Sequence, residues 1–308
     1  MVRKWMYLLV CTIVLATTIF TGTSLAAEPA EYDNEMDSKM VIHFIDVGEG
    51  DCTFIDFGEY EVLIDAGSNM AGETVVDYIE PYVDGSLDLV IATHVHHDHI
   101  GGMDDVLKAY DVKEIIHSGD TYNTQSYLDF YDAVLAEPNC MYTEDEDRII
   151  DMGNGATLRI IDGIDGSENI NDNSVIALLE YGVTKVLFTG DLEESGEAYY
   201  LNLLEPVQVL KVGHHGSATS SGTNFLSVVN PQIGIISAGY ANNSIHPHIR
   251  AMRRLFQAET ELYGTFKVGC IVMTLDGESY SLNTSQTLQY ADAGIYHIIR
   301  EFEGEVWK

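Results

Sequence analysis

The chain has 308 residues, 46% of them hydrophobic, which is enough to bury one large core or two small ones and excludes a disordered polypeptide. The formal net charge is −34, and such an anionic field argues against a protein that reads nucleic-acid sequence, because it repels polyanions. Cys52, Cys140 and Cys270 lack CxxC spacing, which argues against a disulfide scaffold or a cysteine zinc knuckle.

The N-terminus reads MVRK, continues with an apolar run over residues 5–20 and ends in the small and polar residues TSLAAEPA. This pattern predicts a secretory signal peptide over residues 1–26, because Ser24 and Ala26 fit the small-residue rule for cleavage. The alternative is an uncleaved membrane anchor, for which the run is short. A polar linker, residues 27–39, follows. We therefore expect a protein secreted to the extracellular or cell-wall space, without stable membrane association after cleavage.

From residue 40 onward, apolar segments alternate with turn signals in a rhythm of strands and helices. Three short strands come first, followed by helix, strand, helix, strand and helix: VIHFID, CTFIDF, EVLIDAG, ETVVDYIEPYV, LDLVIATH, MDDVLKAY, VKEIIHSG and SYLDFYDAVLAEP. A polar patch, TEDEDR, then leads into the second half.

The second half opens with the strand ATLRIIDGI and with SVIALLEYG and TKVLFTGD, which are predicted to pair antiparallel around Gly182. Helices and strands then alternate, and a hairpin closes the region: EESGEAYYLNLLE, VQVLKVG, TNFLSVV, QIGIISAG, HPHIRAMRRLFQAE and GCIVMTLDGESYSL.

The two halves resemble one another. In each, a strand ends at an acid, a helix follows, and the next strand ends at histidines, as in LIDAG with LVIATHVHHDH and LFTGDL with VLKVGHH. This pattern suggests an internal duplication and predicts an α/β domain over residues 40–284, with two mixed sheets packed face to face and helices outside. Residues 285–308 are a C-terminal extension, either a packed terminal element or a partner-binding segment.

Four ligand-type side chains occur directly after a predicted buried strand, in THVHHDHIGG. His94 and His96 alternate, so they can face one metal ion, while Asp98 and His99 can turn to a second ion beside it. Because such groups are costly to desolvate together, folding alone gives little reason to gather them. The H-x-H-x-D-H pattern therefore predicts a metal site.

Further ligand-type residues stand at the ends of later strands: Asp191 in FTGD, His214 and His215 in HHGS, and His246 before a proline. With them, the chain resembles the metallo-β-lactamase fold, and within it the branch similar to the C-terminal domain of the competence protein ComEC. The resemblance lies in FIDVGEGDC, VLIDAG, THVHHDHIGG, NDNSVIALL, LFTGDLE, LKVGHHGS and NSIHPH, in family order. Secreted phosphorylcholine esterases look similar over the same motifs. The resemblance implies an αββα sandwich.

The resemblance also implies a site for two zinc ions, with manganese as the alternative. It places His94, His96 and one histidine of the HHGS stretch on the first ion. Ordinary members of the superfamily take a further histidine before the bridging acid, and this chain offers none in a matching context.

On the second ion the resemblance places Asp98, His99 and His246, and Asp191 bridges the pair. Between the tandem histidines we favour His214 over His215 as the ligand. Asp65 and Asp46 are expected to orient ligand histidines, because metal-bound imidazoles need an acceptor for their other N–H.

A pair of ions suits phosphoester chemistry, since it can activate water and clamp the attacking and leaving oxygens of an in-line displacement. The sequence therefore predicts a hydrolase of phosphodiester bonds that acts on an anionic phosphoester, with Asp98, Asp191 and Lys211 as catalytic residues. Lys211 either touches an anionic substrate or is a surface lysine at a strand end. Alternatives are a phosphorylcholine esterase, a β-lactamase or other acyl hydrolase, and a non-catalytic binding module.

One basic cluster stands out in this acidic chain. Arg250, Arg253 and Arg254 are spaced i, i+3, i+4, so a helix would present them as one stripe. The stripe either is a solvated helix face or guides an anionic polymer toward the metals.

Overall fold

The computed structural model describes residues 39–137, 139–161, 163–164, 166–239 and 246–289, all of which belong to one compact unit. The predicted signal peptide, nearly all of the predicted linker and most of the C-terminal extension lie outside the described residues. No helix in the described part of the chain is both long and apolar enough to cross a membrane.

Fifteen strands and eight α-helices make up the described chain. The strands are β1 (Met40–Phe44), β2 (Thr53–Phe57), β3 (Tyr60–Ile64), β4 (Ser86–Ala92), β5 (Asp111–His117), β6 (Met141–Glu144), β7 (Arg148–Gly153), β8 (Ala156–Ile161), β9 (Ile176–Tyr181), β10 (Thr184–Phe188), β11 (Val209–Lys211), β12 (Ile233–Ile236), β13 (Glu261–Gly264), β14 (Ile271–Leu275) and β15 (Tyr280–Leu282). The helices are α1 (Gly72–Ile79), α2 (His97–Ile100), α3 (Met103–Ala109), α4 (Gln125–Ala136), α5 (Glu194–Tyr200), α6 (Thr223–Val229), α7 (Ile249–Gln257) and α8 (Thr265–Val268).

The strands form two mixed sheets. The eight-stranded sheet has the order β15-β14-β1-β2-β3-β4-β5-β6, and the seven-stranded sheet has the order β13-β12-β11-β10-β9-β8-β7. Strands β3 to β6 run parallel, as do β10 to β13, while the remaining pairs are antiparallel. The carboxyl ends of the parallel strands define one edge in each sheet, where ligand sites of α/β folds form.

Three buried clusters show how the layers stack. The inner cluster contains side chains from both sheets, and Phe44 of one sheet lies 6.5 Å from Phe188 of the other between ring centroids. The outer clusters join each sheet to its helices: α1, α3 and α4 cover one sheet, and α5, α6 and α7 cover the other. Along β3, Val62 and Ile64 face the inner cluster and Leu63 faces the helices, as expected for a strand buried on both sides. The predicted sandwich of two mixed sheets with outer helices is confirmed.

Most of the predicted elements are present, including the antiparallel pair β9 and β10 around Gly182, which has a φ of +57°. Three strands were not predicted: β6, β7 and β13. The first two include or follow the polar TEDEDR patch, and β13 is a four-residue strand at a sheet edge. Most side chains of β6 and β7 are partly or fully exposed, and β13 offers only two apolar side chains, so the apolar signal is weak.

Candidate metal centre

The H-x-H-x-D-H loop leaves β4 in an extended conformation and enters α2 at His97. His94 and His96 therefore precede the helix, whereas Asp98 and His99 lie in its single turn, which separates the four side chains into two pairs. His94 and His99 are buried, His96 is half-buried, and the side chain of His97 is 66% exposed. The loop thus points three histidines and Asp98 inward and leaves His97 outside.

Asp65 supports this loop from the end of β3. Its Oδ1 accepts a hydrogen bond from the backbone N–H of Thr93 at 2.9 Å, and its Oδ2 accepts one from the Thr93 hydroxyl at 2.7 Å. The same Oδ2 lies 2.7 Å from Nδ1 of His99. An acceptor at Nδ1 fixes the imidazole tautomer and leaves Nε2 for an ion. Asp65 therefore orients His99, one of the predicted ligands.

Asp46 does not share that role. Its Oδ1 accepts the N–H of Gly48 at 3.1 Å within its own loop. The expectation that Asp46 orients a ligand histidine is wrong.

Asp191 follows Gly190, whose φ of +50° and close packing explain the glycine. A Cβ at Gly190 would lie 2.8 Å from the side chain of Ser174 and 3.1 Å from Cβ of Thr93. The Ser174 hydroxyl in turn accepts the backbone N–H of Asp191 at 3.0 Å. The side chain of Asp191 is 2% exposed, so the turn buries this carboxylate among the histidines.

The two oxygens of Asp191 face two different groups of histidines. Oδ2 lies 3.7 Å from Nε2 of His94 and 3.6 Å from Nε2 of His214. Oδ1 lies 3.1 Å from Nε2 of His99 and 3.6 Å from Nε2 of His215. A carboxylate in this position can bind two ions at once, one through each oxygen.

One further predicted ligand lies beside each group. Nδ1 of His96 is 3.0 Å from Nε2 of His94, on the Oδ2 side of Asp191. Oδ2 of Asp98 is 3.3 Å from Nε2 of His215, on the Oδ1 side.

The tandem histidines adopt left-handed backbone conformations, with φ and ψ of 51° and 46° at His214 and of 52° and 24° at His215. Their rings consequently meet different partners. Nδ1 of His214 lies 3.2 Å from Oε1 of Glu193, whose carboxylate accepts the amides of Asn169 and Asn171 at 3.0 and 3.1 Å. His215 is buried, and its Nε2 points between Asp98 and Asp191.

Nε2 of each tandem histidine lies 3.6 Å from one oxygen of Asp191, so the preference for His214 drawn from the sequence stays a prediction. His215 belongs to two compact groups that could hold an ion, one with Asp98 and His99 and one with Asp51 and Asp191. His214 belongs to none of the compact groups found among the described residues. His215 thus lies on the side of Asp98 and His99, whereas His214 lies with His94 on the Oδ2 side of Asp191.

His246 lies beside the tandem pair. Its ring centroid is 5.2 Å from that of His214 and 5.9 Å from that of His215. The structure therefore brings all seven predicted metal ligands to one place, with His246 next to the compact groups rather than inside one.

Lys211 is neither a surface lysine nor open to substrate. It is the last residue of β11, it is 3% exposed, and its ammonium is bound to Asp51. The alternative of a surface lysine at a strand end is wrong, because the strand end is itself buried at the site. The ion pair also turns the ammonium toward Asp51 instead of a substrate.

Burial and mutual charge shift the pKa values of the centre in opposite directions. Burial would raise the pKa of Asp191, but His99 and His215 hold it well below its usual range. Burial would lower the pKa of His215, yet Asp191 and Asp51 raise it to about 10. Burial and His99 keep the pKa of His94 well below its usual value. The Asp191 carboxylate is therefore ionised at neutral pH, as a metal ligand must be.

The residues fit a bound metal. His99 Nε2, His215 Nε2 and Asp191 Oδ1 are fully buried and make no hydrogen bond, although the two nitrogens lie 3.1 and 3.6 Å from that oxygen. Buried polar atoms without partners are costly, and a cation among them would satisfy all three. Imidazole nitrogens with carboxylate oxygens are a donor set that zinc prefers.

Several supporting residues were missed by sequence reasoning. Glu193 lies two residues after Asp191, and the turn at the NDNS motif lies next to it. The sequence pattern did not predict a role for Glu193 or for this turn. Ser237, whose carbonyl oxygen lies 3.1 Å from Nδ1 of His215, carries no sequence signal at all because the contact is made by the backbone. Asp51 lies within the FIDVGEGDC motif, which could have identified it, but no role was predicted for it.

The structure also changes the interpretation of the arginine stripe. The Arg254 guanidinium donates hydrogen bonds to the carbonyl oxygens of Ala218, Ser220 and Ser221, and it lies 3.6 Å from Glu194. Arg254 therefore holds the loop that follows the tandem histidines and is not available to a polymer. Arg250 and Arg253 are exposed.

Comparisons with known proteins agree with this fold. The sequence profile of the metallo-beta-lactamase superfamily matches residues 45–167 and 170–240. Recombination protein 2 of Haemophilus influenzae is 29% identical over 247 residues, which cover 79% of this chain and 30% of that protein. ComE operon protein 3 of Bacillus subtilis is 29% identical over 265 residues, which cover 77% of this chain and 33% of that protein.

The chain thus spans about a third of the length of the curated relatives it matches. Among solved structures, the metallo-beta-lactamase fold protein YhfI from Bacillus subtilis aligns with a TM-score of 0.50 at 15% identity. That alignment covers 77% of this chain and 100% of YhfI. At this identity the likeness shows the fold.

Proposed function

Because the chain belongs to the metallo-β-lactamase superfamily of metal-dependent hydrolases, we propose that it hydrolyses phosphodiester bonds with a pair of divalent ions. The observation that carries the proposal is the position of the Asp191 carboxylate. One of its oxygens faces His94 and His214, and the other faces His99 and His215. When bound, two such ions supply charge stabilisation to both the attacking and the leaving oxygen of an in-line displacement and lower the pKa of water. Zinc is the ion we propose, with manganese as the alternative.

The protein's part in this chemistry is to hold and orient the donors. Asp65 fixes His99 through Nδ1, and Glu193 lies against Nδ1 of His214. Asp191, His99 and His215 are buried, which keeps bulk water from that side of the centre. His214, with its side chain 19% exposed, and the half-buried His96 lie on the accessible side, where a substrate would approach.

The relatives support phosphoester chemistry through what their names say of them. One is called Recombination protein 2, and another ComE operon protein 3. The net charge of −34 disfavours sequence-specific nucleic-acid binding, so the proposed partner is the phosphoester itself. We also propose that the protein is exported, on the strength of the N-terminal signal pattern. The mature N-terminus of material recovered outside the cell would then follow residue 26.

An activity panel tests the function. Zinc-loaded and manganese-loaded protein is assayed on a bis-aryl phosphate, an aryl phosphorylcholine, single-stranded DNA and a chromogenic cephalosporin. We expect turnover of the bis-aryl phosphate that a chelator abolishes and that added metal restores. Turnover of the cephalosporin alone would make the protein an acyl hydrolase. Two bound ions without turnover of any substrate would indicate a binding module.

A further inference from the structure

Lys211 and Asp51 form a buried ion pair that joins the two sheets beside the metal centre. Lys211 ends β11 of one sheet, and Asp51 lies in the loop between β1 and β2 of the other. Nζ of Lys211 is 2.6 Å from Oδ1 and 2.7 Å from Oδ2 of Asp51, and the two side chains are 4% and 7% exposed. A buried charge is tolerated only with a partner, so neither residue is stable there without the other.

Asp51 reaches one of the ligand-type histidines directly. Its Oδ1 lies 3.3 Å from Nδ1 of His215, and the carbonyl oxygen of Ser237 lies 3.1 Å from the same nitrogen. Two acceptors at Nδ1 hold a hydrogen on that nitrogen and leave Nε2 free. Nε2 then faces Asp98 at 3.3 Å and Asp191 at 3.6 Å.

The backbone of Asp51 holds the other half of the same ligand group. Its N–H donates to the carbonyl oxygen of Asp98 at 3.1 Å, and its own carbonyl oxygen accepts the N–H of Gly67 at 2.8 Å. Gly50 allows this close approach, because a Cβ there would lie 2.2 Å from the carbonyl oxygen of Asp98. One residue therefore sets the positions of Asp98 through its backbone and of His215 through its side chain.

Asp51 could itself bind an ion. Its carboxylate lies in a compact group with Asp191 and His215 that could hold a metal. Lys211 contacts both oxygens of Asp51, so the ammonium takes the place that a cation would otherwise occupy. The lysine and a metal ion would therefore compete for the carboxylate of Asp51.

We propose that Lys211, acting through Asp51, positions His215 and keeps Asp51 out of metal coordination. Lys211 is then a positioning residue and makes no contact with substrate. The inference rests on the proposed metal centre, and it deepens that proposal by assigning a role to the buried lysine.

The experiment compares wild-type protein with K211M and with the double variant D51N/K211M. Metal content is measured after zinc loading, zinc affinity by competition with a chelator, and the tautomer of His215 by imidazole NMR of the zinc-loaded protein. We expect both variants to lose about 10- to 100-fold in affinity for one ion, the range seen when an outer-shell partner of a ligand is removed. The kcat should fall while KM for a bis-aryl phosphate is unchanged.

The double variant keeps the test decisive if K211M fails to fold, because it removes both buried charges together. Two ions bound at wild-type affinity by D51N/K211M would overturn the proposal. So would a K211M protein with normal zinc affinity and a raised KM, since the lysine would then contact substrate. Wild-type protein that binds no metal would instead overturn the proposed function, which separates the two failures.

K185M is the matched control. Lys185 lies on the neighbouring strand β10 and pairs with Glu205 at 2.8 Å, outside the metal centre. We expect K185M to keep the wild-type zinc affinity, kcat and KM. A loss equal to that of K211M would show that removing any ion-paired strand lysine disturbs the centre, and would overturn the assignment.

Discussion

The segment β3–α1–β4 in the first half of the molecule corresponds to β10–α5–β11 in the second. In both, a parallel pair of strands is joined through a helix, an acid follows the first strand and histidines follow the second. The acids nevertheless do different work. The oxygens of Asp65 accept hydrogen bonds from Thr93, and one of them also contacts Nδ1 of His99. The oxygens of Asp191 instead face four imidazoles. Equivalent positions in the frame thus yield a supporting carboxylate in one half and a shared ligand in the other.

The histidine loops differ in a second way. The first loop is extended at His96 and places alternate side chains on one side, in the way the sequence spacing implies. The second loop turns through two left-handed residues, so His214 and His215 diverge although they are adjacent. Backbone conformation therefore decides which histidines share an ion, and spacing alone does so only in the first half.

Replacing the two acids separately should give the largest effect. D191A removes the shared ligand, so we expect loss of both ions and a fall in turnover to background. D65A removes only a support, and zinc affinity should fall about 10- to 100-fold with turnover restored by excess zinc. Elemental analysis of zinc-loaded protein and bis-aryl phosphate turnover check both, and wild-type protein should carry close to two ions. Near-normal turnover in D191A would contradict the shared role.

The tandem histidines give the next largest effect. H215A should lower zinc affinity more than H214A, because His215 belongs to the compact groups and His214 does not. We expect a loss of at least about tenfold for H215A, as for a damaged ligand set. H97A is the control, since the exposed His97 lies on the other histidine loop without a place in either group. Equal losses in H214A and H215A would assign one histidine to each ion.

The first half of the site could be predicted from sequence because its geometry follows the spacing. The H-x-H-x-D-H spacing after a buried strand determines which side chains alternate. The acids were identified because they stand at the ends of predicted strands. The strand and helix order, and hence the layered fold, followed from apolar periodicity. Short edge strands such as β6 were missed, since four partly exposed residues give little periodic signal.

The second half could not be predicted to the same depth. The choice between His214 and His215 depends on positive φ values, which these residues adopt without a glycine to mark them. The burial of Lys211 depends on Asp51, which is 160 residues away in the chain. The contacts of Arg254 likewise could not be predicted, because a backbone carbonyl can accept a hydrogen bond whatever its side chain is.

The two halves can also be compared in stability, because each buries one glutamate. Glu61 on β3 is 1% exposed, with Oε1 lacking a hydrogen bond, and burial and Asp88 raise its pKa to about 8. A folded-state pKa above the unfolded value gives stability that is present below the unfolded pKa and is lost as pH rises through about 8. E61Q should therefore be neutral near pH 4 and stabilise the fold by roughly 1 to 2 kcal/mol at pH 9, because the amide has no charge that burial disfavours.

Glu197 on α5 provides the contrast for that measurement. Burial raises its pKa to about 7, but its carboxylate accepts the backbone N–H groups of Ser221 and Gly222. E197Q keeps only one good acceptor for two donors, so it should stabilise less than E61Q at pH 9, or destabilise. Urea unfolding of both variants at pH 4, 7 and 9 tests the comparison. A pH-independent effect of E61Q would show that Glu61 does not titrate in this range.

The smallest expected effect concerns Arg250 of the arginine stripe. In the second half, Arg254 holds residues 218–221 through its guanidinium. In the first half, the histidine loop is held by backbone hydrogen bonds, such as the one from the N–H of Ala66 to the carbonyl oxygen of His99 at 2.8 Å. Reversing Arg254 would therefore loosen the ligand loop and confound any test of substrate guidance. Arg250 is exposed at the start of α7, close to His246, and can be reversed alone.

If the stripe guides an anionic polymer, R250E should weaken hydrolysis of single-stranded DNA and reduce the slope of log kcat/KM against log salt by about one, as for a lost phosphate contact. Turnover of a small bis-aryl phosphate should not change, because a compact diester does not reach the helix. K108E is the control, since Lys108 is 64% exposed on α3 in the first half, where no stripe exists. An equal change in R250E and K108E would reflect net charge alone. No change in either would assign Arg250 to a solvated helix face.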